Sequence, residues 1–93
     1  MKQIDFLKRM ENFFALNDSY SFTAIDTMVY FFLLNSCHKL RKITFTLWND
    51  DMKAACGVSL FVLTNSLKYL KDVGLIDFKE VEKGITKFII EEQ

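Results

Sequence analysis

The stretch "GVSLFVLTNSLKYLKDVGLIDF", residues 57–78, decides how the chain folds. Gly57 and Gly74 stand where a backbone needs a positive φ angle, a common way for a helix to end. Between them Ser59 is placed to cap a helix over 60–73, since its hydroxyl can accept from an amide of the first turn. Leu63, Ser66, Leu67 and Leu70 recur at the spacing of one helical face and predict its inward side. Leu60, Phe61, Thr64, Asn65, Lys68 and Asp72 then fall toward solvent. After Gly74 the period changes: "LIDFKEV", a turn at Lys83-Gly84 and "ITKFIIEE" predict a hairpin. Its buried rows are Ile76 with Phe78, and Phe88 with Ile90.

Upstream, "DDMKAAC" (50–56) predicts a short helix that Gly57 ends, capped by Asn49 or Asp50, with Met52, Ala55 and Cys56 inward. "KITFTLW" (42–48) alternates Ile43, Phe45 and Leu47 against Thr44 and Thr46, as a half-buried strand does. Thr23, with Asp26 three residues on, predicts the start of a helix over about 24–38. That helix is apolar nearly all round at Val29–Leu34, so it belongs in the middle, covered on both sides. "IDFLKRMENFFAL" (4–16) predicts a first helix with Ile4, Leu7, Met10 and Phe14 on one face, widened by Phe6 and Phe13.

Ninety-three residues without proline, repeat or linker make one domain. Half of them (51%) are apolar and 15% aromatic, more than so small an interior needs, which predicts apolar surface meeting a partner. Phe6, Phe13, Phe14 and Phe31 are the residues expected at a homodimer interface, and Phe13→Asp is expected to leave a folded protein of smaller apparent mass.

Formal charge is zero, but unevenly placed. Residues 38–71 hold Lys39, Arg41, Lys42, Lys53, Lys68 and Lys71 against Asp50 and Asp51, net +4, while the flanking stretches are net negative. No signal peptide is legible in "MKQIDFLKRMENFF", and "MVYFFLL" (28–34) is far short of the roughly 20 residues of a membrane span. A cytoplasmic location is expected.

Cys37 and Cys56 have no metal-ligand spacing, and Cys37 beside His38 would point about 100° away from it on a helix. With no phosphate-cradling glycine loop and one histidine, the chain is not expected to be an enzyme or to need a cofactor or small-molecule ligand. Asp50-Asp51 reads as acidic residues opening a helix rather than a magnesium site.

The order is thus helix, helix, strand, short helix, tight turn, longer helix, two-stranded hairpin. Gly57-Val58-Ser59, then Leu67, Leu70, Gly74-Leu75-Ile76 and Phe78, resembles the winged helix-turn-helix signature of bacterial regulators and replication initiators. More narrowly, "SFTAIDTMVYFFLLNSCHKL", a strand with Trp48, and "GLIDFKE" resemble the amino-terminal domain of DnaD-like replication-initiation proteins, over about residues 21–90. The resemblance implies an α+β, mainly α fold: a winged helix-turn-helix with an extra amino-terminal helix and a two-stranded β-hairpin wing. It implies binding to bacterial, phage or plasmid double-stranded DNA, often as a dimer, within a longer initiator or regulator. These 93 residues are expected to form one domain, without the second domain of that pattern, and read either as a whole protein or as the amino-terminal part of a longer one. The chain also has Leu60 and Phe61 where the family has polar or basic residues.

Read for DNA, the outward side of helix 60–73 offers Asn65 as its one amide for base edges, Thr64 for a phosphate or a thymine methyl, and Lys68 and Lys71 for phosphates. Lys53 on the preceding helix, Ser59 at the helix start, and Lys79, Lys83 and Lys87 on the hairpin complete the set. Asp72, Asp77, Glu80 and Glu82 would repel DNA if they share the groove-facing side. The competing reading is a protein-interaction module using Leu60, Phe61 or the first helix, with Phe61 either packed under the wing or meeting another protein.

Overall fold

A computed structural model describes residues 6–17 and 19–91. It contains α1 (Phe6–Leu16), α2 (Ala24–Leu40), β1 (Thr44–Trp48), α3 (Asn49–Cys56), α4 (Leu60–Val73), β2 (Ile76–Glu82) and β3 (Ile85–Ile90). The domain is α+β and mainly helical. Its sheet is antiparallel and three-stranded, in the order β1-β3-β2. The hairpin therefore does not stand alone: β1 joins it, pairing Phe45 with Phe88 and Thr46 with Lys87.

Helix α2 is the centre, touching α1, α3, α4, β1 and β3. Val29, Tyr30, Leu33, Leu34 and Cys37 are fully buried along it. Its start is a capping box: the Asp26 N–H donates to Thr23 Oγ1 (3.1 Å) and the Thr23 N–H to Asp26 Oδ2 (3.0 Å). The second oxygen of Asp26 accepts from the Ser66 hydroxyl at 2.5 Å, so one buried carboxylate fastens α2 to the middle of α4. Leu63, Leu67 and Leu70 complete that contact.

Three helices stop in the same way. Gly57 and Gly74 take φ values of 66° and 93° after α3 and α4, as their positions predict. Arg41 does so at φ 56° after α2, which ends at Leu40, two residues beyond the expected end. In a left-handed conformation a side chain is strained, which glycine avoids and arginine does not. At Gly74 the turn also lets the Leu75 N–H reach Leu70 O (3.0 Å), which drops Leu75 into the core as β2 begins.

Four local readings are corrected. On α1 the core side is Phe6, Met10, Phe13 and Leu16, whereas Leu7 and Phe14 are 66% and 55% exposed. Ile4 lies outside the described residues. Phe13 is only 1% exposed, stacked on Phe22 (4.4 Å) and Tyr30 (4.8 Å), so it belongs to the core. Ile43 precedes β1 and is exposed, its carbonyl accepting from the Ile90 N–H. Helix α3 begins at Asn49 after Trp48, with no side-chain cap, and Ala55 is exposed. Asn49 instead uses its Oδ1 to accept from the Thr86 hydroxyl (2.7 Å), and its N–H donates to Gly84 O (2.8 Å). Those two bonds tie the tip of the hairpin to the start of α3.

Candidate functional site

Helix α4 presents one unshared stripe. Its inward residues are Leu63, Ser66, Leu67 and Leu70. At 100° per residue, Phe61, Thr64, Asn65 and Lys68 then climb the opposite side. Ser59 Oγ accepts from the Val62 N–H at 3.3 Å and caps the start of the helix. Phe61 is 75% exposed and Leu60 50%, so Phe61 does not pack under the hairpin as one reading expected. Asn65 and Lys68 are exposed and Thr64 half-buried.

The expected lysines separate into three groups. Lys71 is engaged: its ammonium lies 3.1 Å from Asp77 Oδ1 and 5.4 Å from the centre of the Phe78 ring. That hydrogen bond and the Phe78 N–H hold the Asp77 carboxyl below its ordinary pKa. Lys71 thus clamps the end of α4 to the start of β2. Lys53 faces Asp50 across one helical turn at 3.8 Å, a long contact on the surface that restrains it little. Lys68, Lys79, Lys83 and Lys87 have no carboxylate within ion-pair distance among the described residues.

On the sheet, Lys83 occupies the hairpin tip, while Lys79 and Lys87 do not. These two stand directly opposite each other in the middle of β2 and β3, in one row with Thr46 of β1. Phe45, Phe88 and Phe78 form the neighbouring row, with ring centres 6.0 and 6.3 Å apart, beneath the helices. Alternation therefore sends Thr46, Lys87 and Lys79 to the solvent face. Trp48 belongs to the same face by the same alternation and is 58% exposed. Sequence reasoning missed Trp48 and Thr46, although the inward phase of Phe45 and Leu47 already implies their direction.

The aromatic residues expected at an interface are also divided. Phe6 and Phe31 are partly buried, with Phe6 against His38 (5.8 Å). Phe14 meets Phe31 at 5.8 Å and Phe13 at 5.9 Å, both in T-shaped contacts, and leaves the rest of its ring exposed. Cys37 is buried while His38 is exposed, so the two side chains diverge. Burial raises the thiol pKa of Cys37, with Arg9 opposing, and also that of Cys56. Among the described residues no group of three acidic, histidine or cysteine side chains is placed to hold a metal, and no helix is long and apolar enough to cross a membrane. Protein-family models, curated proteins and solved structures give no match to this chain.

Proposed function

We propose that the chain is a DNA-binding winged helix-turn-helix module of the kind used in replication initiation or transcription regulation. Helices α3 and α4, joined through Gly57, are the helix-turn-helix in this reading, and the β2–β3 hairpin is the wing. The observation that carries it is the stripe on α4: a capped helix start followed by Thr64, Asn65 and Lys68, outward and not consumed by the fold. Lys83 at the hairpin tip supports it as a second phosphate contact. Asn65 is the one amide on the stripe and no arginine accompanies it, so affinity rests on phosphates and on pairing of two copies more than on base edges. Lys71 is assigned a structural part, because releasing it to a phosphate would break its contact with Asp77.

Lys68→Glu tests the reading. We expect binding of a labelled mixed-sequence duplex, followed by anisotropy at about 50 mM salt, to weaken roughly tenfold. An unchanged affinity would remove α4 from the interface. A second reading, docking of a protein partner without DNA, is favoured by the exposure of Phe61 and Leu60 at the start of the same helix.

A further inference from the structure

The outer face of the sheet carries an unexplained repulsion. Lys79 and Lys87 are direct cross-strand partners, both exposed, and no carboxylate lies within ion-pair distance of either among the described residues. Like charges placed opposite on neighbouring strands destabilise a sheet. Glu80, next to Lys79, alternates to the other face of β2, and Asp77, two residues away on the same face, is already held by Lys71. Two rows along the strands, on the same face, sit Trp48 and its partner Ile85, with Glu82 beyond. The indole is thus one pleat, about 7 Å, from the row of Thr46, Lys87 and Lys79.

From this juxtaposition we infer that the outer sheet face binds a single strand of nucleic acid, with phosphates at Lys79 and Lys87 and a base stacked on Trp48. An anion between the two ammonium groups removes the repulsion that the fold leaves standing. A flat exposed indole beside them offers the stacking surface that single strands use and that a duplex, with its bases already stacked, leaves unused. Thr46 can donate to a phosphate oxygen in the same row. A protein partner fits the face less well: Ile85 and Ile89 are half-buried, so the exposed apolar surface is largely the Trp48 indole and, at the bulge of β2, Val81, set among charged and hydroxyl groups. The face is separate from the stripe on α4, so the two readings can fail independently.

Trp48 is the only tryptophan of the chain, which makes its emission a direct reporter of this face. The test is titration of the folded protein with a thymidine oligonucleotide of about 15 nucleotides at about 50 mM salt. We expect saturable quenching, weaker for a mixed-sequence duplex at the same phosphate concentration. K79E/K87E exchanges one like-charged pair for another, so the fold bears the same repulsion, and circular dichroism checks that it is intact. Oligonucleotide binding by that variant is expected to weaken roughly tenfold or more. Lack of saturable quenching, or an unchanged midpoint in K79E/K87E, would overturn the inference. Tighter quenching by the duplex would overturn the single-strand assignment. An emission change that follows protein concentration without oligonucleotide would show the face to be a protein contact instead.

Discussion

Tyr30 carries a hydroxyl that the core does not serve. It is fully buried at the centre of α2 and makes no hydrogen bond among the described residues. Burial raises its pKa to about 12, with nearby Arg9 opposing. The unfolded chain ionises near 10, so between about pH 10 and 12 it loses a proton that the folded protein keeps. Stability from this group is therefore complete below pH 10 and falls as pH rises through that window. Tyr30→Phe removes an unserved polar atom, and we expect it to raise stability by about 1 kcal/mol at pH 7. The urea midpoint of the variant should also fall less than wild type between pH 7 and 11. A less stable variant would mean that the hydroxyl has a partner, and an unaltered pH profile would mean that its pKa is not raised. Local chemistry at this scale was legible only where it is local. Thr23 and Asp26 announce their cap by a three-residue spacing, but the bond from Ser66 to Asp26 spans 40 positions and has no signature in the chain.

At the scale of elements, the sheet sets affinity against stability. Lys79→Glu converts the cross-strand repulsion with Lys87 into an opposite-charge pair. We expect it to stabilise the fold by about 0.5 kcal/mol while weakening oligonucleotide binding. Thermal unfolding and titration of one sample read both, and a destabilised variant would mean that the two lysines do not repel. The bounds of helix α4 and the turn of the hairpin were legible, since Ser59, Gly57, Gly74 and Lys83-Gly84 punctuate them, whereas the bulge of β2 between Glu80 and Glu82 was not. The end of α2 was not, because Arg41 adopts a conformation that its side chain disfavours and no glycine or asparagine marks it. The addition of β1 to the hairpin was equally hidden: alternation tells which residues of a strand are buried but not which strand it pairs with. On α1, apolar residues cover half the helix, so periodicity alone left the choice between Phe13 and Phe14 open, and packing under Phe22 and Tyr30 decided it.

For the molecule as a whole, composition foretold more apolar surface than the core absorbs, and Leu7 and Phe14 on α1 are where part of it lies. The proposed function includes pairing of two copies, and we propose this side of α1 as the interface. Phe13→Asp cannot test it, because a charge at a core position is expected to unfold the domain. Phe14→Asp can: we expect a folded protein whose mass by light scattering is half that of wild type. Wild-type mass in that variant would exclude the α1 side as the interface. The zero net charge and the lack of an arginine on α4 made the partner hardest to read, since phosphate binding here would rest on where a few lysines stand rather than how many there are. The measurement that bears most directly on duplex binding is anisotropy of a labelled mixed-sequence duplex at about 50 and 200 mM salt, with the protein shown to be folded. Affinity that falls steeply between the two, in proportion to several neutralised phosphates, is the predicted result. No binding at the lower salt would contradict a DNA-binding module and leave Phe61 and Leu60 as a protein-docking surface.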